Sequence, residues 1–269
     1  MGALVGSTAC LVRVESTEGS APREAGAWMA VFADHIVGTI GGGHLELQAI
    51  AEARRRLGGA PGAAQGQPPM RFALGPALGQ CCGGVVYLGF ELLTAADLAP
   101  AAGLHARLSP QLHPLALFGG GHVGHALARV LAPLPFALTW IDSRDGIFPS
   151  PTPDGVVCEH SEPVQQAVPH LAPGSRVLIM SFSHAEDLDV VAACLRRQRE
   201  QRDLPFIGLI GSKTKWATFS NRLHGRGFAQ EELAQVTCPI GIPGIEGKEP
   251  DVIAVSVAAQ LLQTLKEAA

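Results

Sequence analysis

After residue 114, short apolar strands alternate with helical patterns, a G-x-G-x-x-G turn joins the first such strand to its helix, and an acidic residue closes the next strand. These three features predict an α/β chain, with a Rossmann-like parallel-sheet C-terminal domain preceded by a smaller α+β N-terminal domain. Composition agrees with a folded protein. The 269 residues include 32 glycines and 20 prolines, close to a fifth of the chain, against about 12 % in average proteins. Charged residues make up 16 % and apolar residues 47 %, which excludes a disordered chain. The glycines follow no three-residue period, which excludes collagen. No apolar run approaches the roughly 20 residues that span a bilayer.

Net charge is −4, and it is spread evenly, with 7 basic against 8 acidic residues in 1–110 and 13 against 16 in 111–269. Without a basic face, neither nucleic acid nor an anionic membrane is an expected partner. Residues 1–13 carry an apolar stretch with no basic segment before it and read as mature chain rather than a signal peptide. The six cysteines, at 10, 81, 82, 158, 194 and 238, form no C-x-x-C pair. Reduced thiols and a cytoplasmic location are therefore expected.

In chain order, strands are expected over 11–17, 28–33 and 85–90. A helix is expected over 44–57, where Leu45, Ala49, Ala53 and Leu57 share one face, three glycines precede the start and Gly58 and Gly59 mark the end. Residues 60–69 read as an exposed loop. The proline- and alanine-rich stretch 98–114 reads as a linker between a domain over 1–97 and one over 115–269. Beyond it, strands are expected over 115–118, 136–141, 177–181 and 206–210, with helices starting near His122, His184 and Ser212. A last helix follows Pro250, with Asp251 able to cap it and Ile253, Val257, Leu261 and Leu265 on its apolar face.

The turn at Gly119, Gly121 and Gly124 supplies the glycines that a dinucleotide site needs for a tight bend, for close approach of a pyrophosphate and for helix packing. Asp142 lies 21 residues after Gly121, where a carboxylate can hold a ribose hydroxyl. Packing alone would also account for these glycines, and a nucleotide such as NAD(P) is the functional alternative. Arg144 can accept a 2′-phosphate or pair with Asp142 or Asp145. Near a crevice at the sheet's carboxyl edge, Ser212 reads as the cap of a helix and Lys213 as a group facing the ligand. The stretch 208–214 fails the spacing of a phosphate-binding P-loop.

Three loops of the first domain concentrate residues that folding does not demand: GSAPRE (19–24), GTIGGGHLE (38–46) and LGQCCGG (78–84). Gly41, Gly42 and Gly43 open a helix, whose N-terminus attracts anions, and Arg23 would add a bidentate cation if the first loop folds nearby. A sharp corner explains the same glycines. Cys81 and Cys82, beside Gln80 and bounded by glycines, suit a soft metal, a sulfur centre or a redox partner. The other four cysteines sit in apolar segments and read as core.

Taken together, GSAPREAG (19–26), GTIGGGHLE (38–46), LGQCCGG (78–84), GGGHVG (119–124), IDSRDGIFP (141–149), GLIGSKTK (208–215) and PIGIPGIEGKEPDVIAVS (239–256) make the chain resemble the XdhC/CoxI family of xanthine dehydrogenase accessory proteins. The resemblance implies a chaperone without turnover of its own. It would bind the molybdenum cofactor, a molybdopterin, received from cofactor biosynthesis proteins, and hold it while a cysteine desulfurase supplies the terminal sulfido ligand. It would then deliver it to the molybdenum-binding subunit of xanthine dehydrogenase. A homodimer is implied too, as are Cys81 and Cys82 as ligands or guards of molybdenum. Two departures stand out: little precedes Leu11, where relatives carry a helix, and Trp28 occupies a place that is commonly polar or small. An NAD(P)-dependent oxidoreductase would explain GGGHVG and Asp142 but leaves GSAPREAG and GTIGGGHLE without a reason. A thiol-based redox sensor is a third reading.

Overall fold

The strands and helices expected from periodicity segregate into two sheets. The computed structural model describes residues 8–59, 67–75, 83–94, 96–97 and 103–265, in two units, Met1–Ser109 and Pro110–Ala269. In the first unit β1 (Ala9–Glu18), β2 (Trp28–Val31), β3 (Ile36–Gly38), β4 (Met70–Ala73) and β5 (Val85–Leu93) form an antiparallel sheet in the order β3-β2-β1-β5-β4. The two-residue period of β1 sorts its side chains. Cys10, Val12 and Val14 face the core closed by Leu45, Ala49 and Ala53 of α1 (Gly43–Leu57), while Leu11 packs on the other side with Leu93 and Leu104.

Leu104 belongs to α2 (Leu104–Leu108), a short helix inside the stretch expected as linker. Trp28 explains itself here: its indole N–H donates to the Leu108 carbonyl at 3.1 Å, tying the end of α2 to β2. The helix α1 starts where expected because Gly41, Gly42 and Gly43 have φ of 115°, 75° and 67°, a region that side chains with a Cβ disfavour. Strands β3 and β4 were not legible in the sequence. They are edge strands of three and four residues, too short to show a period. Residues 60–66 of the expected loop lie outside the described residues.

The second unit is a parallel sheet of β6 (His113–Phe118), β7 (Phe136–Asp142), β8 (Val157–His160), β9 (Arg176–Ile179), β10 (Phe206–Leu209) and β11 (Val236–Thr237), ordered β11-β10-β9-β6-β7-β8. The chain runs outward from β6 through β7 to β8, then returns to β9 on the other side. The β6–β9 pair is therefore the topological switch point of a Rossmann-type sheet. One face is covered by α3 (His122–Leu131) and α7 (Pro250–Gln263). The opposite face carries a 3₁₀ helix (Val164–His170), α4 (His184–Gln201), α5 (Lys213–Gly225) and α6 (Gln230–Leu233). Strands β8 and β11 escaped the sequence reading, β8 because it is a mostly exposed edge strand and β11 because it has two residues. Asp251 does not cap α7. The cap position is Glu249, without a side-chain bond, and the Asp251 carboxylate instead meets Arg129 at 3.0 Å on the surface. Among the described residues no helix is long and apolar enough to cross a membrane.

Candidate functional site

In the first unit the GSAPRE loop lies against Gly41 of the second glycine stretch and Gly84, the last residue of the third. A Cβ on Gly41 would stand 2.6 Å from Pro22 Cβ and 3.1 Å from Arg23 Cγ, so Arg23 is beside the start of α1. A Cβ on Gly84 would overlap the Ser20 carbonyl oxygen and stand 2.6 Å from that of Glu18. Gly84 is two residues along the chain from Cys82. Gln80, Cys81 and Cys82 themselves lie outside the described residues. Arg23 is exposed, and its guanidinium makes no hydrogen bond or ion pair among the described residues.

The N–H groups of Ile40, Gly41 and Gly42, just before α1, are already taken, whereas among the described residues no side chain accepts from Gly43, His44 or Leu45 N–H in its first turn. Glu46 Oε2 accepts from Gly42 N–H at 3.1 Å, Ile40 N–H at 3.0 Å and the Thr39 hydroxyl at 2.6 Å, while Thr39 Oγ1 accepts from Gly41 N–H at 3.0 Å. An acid in the first helical turn thus takes the N–H groups of the turn that leads into the helix. Burial pushes the Glu46 carboxyl up, but the bonds from Thr39, Gly42 and Ile40 outweigh it and hold it below the ordinary value. In the sequence Glu46 is distinguished only as part of the GTIGGGHLE motif. The signal that could have found its role is an acid within the first turn after a glycine cap.

The second glycine loop repeats this arrangement. Gly119 has φ 123°, and a Cβ there would overlap the Met180 carbonyl oxygen; one on Gly124 would overlap that of Gly119. Gly121 is different, with open space where a Cβ would be. Asp142, 1 % exposed, ends β7 beneath the loop. Its Oδ2 accepts from Gly120 N–H at 2.5 Å and Arg144 Nη2 at 2.9 Å, and its Oδ1 from Arg144 N–H at 2.8 Å and Arg144 Nε at 2.9 Å. Burial raises the Asp142 carboxyl; the Arg144 guanidinium and the two N–H donors lower it further, and the net direction is down. Of the pairings open to Arg144, the structure takes Asp142, with the guanidinium stacked 4.6 Å above the Phe182 ring.

These contacts test whether the fingerprint fits a dinucleotide. A carboxylate has about four acceptor positions, and four donors of the chain occupy those of Asp142. Ile147 fills the adjoining space, 2.7 Å from where a Cβ on Gly120 would stand. As arranged, Asp142 does not fit a ribose diol.

At the carboxyl end of β10, Ser212 caps α5 as the sequence suggested, its hydroxyl accepting from Lys215 N–H at 3.2 Å. Lys213 opens the helix and is exposed. The sequence reading missed Lys215, whose ammonium donates to Asp187 Oδ2 at 2.6 Å and the Ile210 carbonyl at 2.8 Å. Asp187 Oδ1 in turn accepts from Ser181 N–H at 2.7 Å, so this pair joins the ends of β9 and β10. Among the described residues no three His, Cys, Asp or Glu side chains are grouped to hold a metal ion. Cys10 and Cys194 are buried as expected, whereas Cys158 and Cys238 are only partly so.

A family model described as the XdhC Rossmann domain matches residues 115–261, and one described as the XdhC and CoxI family matches residues 5–65. The chain is 30 % identical over 267 residues to the uncharacterized protein YqeB of Escherichia coli K12, an overlap of 96 % of this chain and 44 % of that protein. It thus spans less than half the length of the curated relative it matches. The crystal structure of a xanthine dehydrogenase from Bacillus halodurans superposes with a TM-score of 0.75 at 19 % identity, covering 97 % of this chain and 92 % of that one. That likeness is one of fold.

Proposed function

This chain belongs to the XdhC and CoxI family, and on that premise we propose that it serves xanthine dehydrogenase maturation as a carrier of the molybdenum cofactor. The cargo is a phosphorylated pterin dithiolene bearing molybdenum. In this reading the chain performs no turnover: it holds the cargo while a cysteine desulfurase supplies the sulfido ligand, then passes it to the molybdenum-binding subunit of the dehydrogenase.

The observation that supports the proposal is that, in the first unit, the GSAPRE loop packs on Gly41 at one place and on Gly84 at another. Arg23, next to Gly41, is a guanidinium without a protein partner among the described residues, and a phosphate matches its planar fork. Gly84, packed on Ser20, ties the same loop to the chain just after Cys81 and Cys82, whose thiolates suit a sulfur-ligated metal. Because Glu46 and Thr39 already accept from Gly42 and Gly41, the phosphate role falls to Arg23 and the first-turn N–H groups of α1 from Gly43 on, rather than to the amides of Gly41 and Gly42. No step requires a nucleotide in the Rossmann-type unit.

The test is to express the full chain in a molybdopterin-competent host and measure molybdenum and the fluorescence of oxidised pterin per chain. Both should co-purify. A Cys81→Ser, Cys82→Ser double variant should lose the molybdenum while unfolding at the wild-type temperature. Undiminished metal in that variant removes the thiols from the proposal, and a wild-type chain carrying neither metal nor pterin overturns the carrier role.

A further inference from the structure

The second unit contains a cavity that the carrier role does not use. Strand β10 leads through Ser212 into α5, and β11 leads into the segment PIGIPGIEGK (239–248) before α7. Lys213, this segment and the first turns of α7 line an open pocket of about 540 Å³, within the roughly 300–1,000 Å³ of small-molecule sites. The position is the carboxyl edge of the sheet beside β10 and β11, apart from the β6–β9 switch point.

Specific contacts hold the walls in place. Gly241 N–H donates to Gln260 Oε1 at 2.7 Å and Ile242 N–H to Ser256 Oγ at 2.8 Å, both acceptors lying on α7. Gly241 has φ 105°, and a Cβ there would stand 2.7 Å from that serine oxygen, so only glycine lets the segment dock. Ile240 seats on the sheet, 2.7 Å from where a Cβ on Gly208 would be. With Ser256 Oγ engaged, the lining side chains are apolar, through Ile242, Pro243, Ile245, Val252 and Ile253, apart from one charged group, while the backbone of the glycine-rich segment adds polar surface. That group is Lys213, exposed at the first position of α5, with no ion pair among the described residues and the positive end of the helix dipole beside it.

We propose that this cavity binds a small organic anion with an apolar body, its single negative group at Lys213 and its body against Ile242, Ile245 and Ile253. The site is independent of the cargo role, so either can fail alone.

The probe is 8-anilinonaphthalene-1-sulfonate, titrated into the full chain beside its neutral counterpart N-phenyl-1-naphthylamine. The sulfonate should bind saturably at one site and more tightly than the neutral probe. Lys213→Gln should weaken the sulfonate about fivefold, the size expected for one exposed charge pair, and leave the neutral probe unaffected. Ile245→Glu, at a side chain 46 % exposed and so tolerated by the fold, should weaken the sulfonate at least as much. Thermal unfolding of both variants should match wild type. Equal affinity for the two probes, or sulfonate binding unchanged in both variants, overturns the proposal.

Discussion

Asp142 Oδ2 and the amide N–H of Gly120 are 2.5 Å apart, so the carboxylate at the end of β7 is the anion held by the glycine-rich loop. Replacing Asp142 with alanine leaves that N–H and the Arg144 guanidinium without their partner. The variant should lose about 3 kcal/mol, as when one member of a buried charged network is removed. Asp142→Asn should lose less. Because the folded carboxyl sits below its ordinary value, its contribution is complete above the unfolded pKa of about 3.9 and disappears as pH falls through the lower folded value. Urea unfolding at pH 7 and pH 3 should therefore show a large wild-type advantage over Asp142→Asn at pH 7 and a smaller one at pH 3.

The same saturation predicts weak NADH binding by the Rossmann-type unit, since a ribose would have to displace Arg144 from Asp142. Titration of NADH into the full chain should give the same nicotinamide fluorescence as NADH in buffer, up to millimolar cofactor. Saturable enhancement would mean that Arg144 leaves Asp142 when a ribose arrives.

Glycine substitutions should separate packing from binding. Gly119→Ala and Gly124→Ala drive a methyl into backbone carbonyls, and each should cost about 3 kcal/mol or more. Gly121, with φ −77° and open space at its Cβ position, should accept alanine within about 0.5 kcal/mol. Thermal unfolding of the three variants ranks them directly.

Glu46 offers a parallel test in the first unit. All three of its donors converge on one oxygen, Oε2. Glu46→Gln keeps a carbonyl oxygen for them and should cost under about 1 kcal/mol, whereas Glu46→Ala should cost about 2 kcal/mol. Denaturant midpoints measure both.

Thiol chemistry should follow burial. Burial pushes Cys10 up to about 11 and Cys194 up to about 12, so at pH 8 both are neutral and shielded. Native alkylation with iodoacetamide, read by mass spectrometry, should leave these two unmodified while denatured chain is modified at both.

Periodicity alone located α1 through Leu45, Ala49 and Ala53, and the central strands β6, β7, β9 and β10 through their apolar runs, because repeats of 3.6 and 2 residues are local properties of the backbone. The motif spacing likewise placed Gly119 at a strand-to-helix turn and Asp142 at the end of the next strand. What the carboxylates of Asp142 and Glu46 do was decided only by tertiary structure. A fingerprint acid can face a ribose or its own loop, and the choice depends on whether Arg144 and Gly120 reach it first. The same holds for Arg23, which is an unremarkable surface cation until Pro22 lies on Gly41. Sequence period specifies which face is buried, but hydrogen-bond acceptors are allotted by distances of about 3 Å between residues far apart in the chain, and those distances exist only after the loops have met.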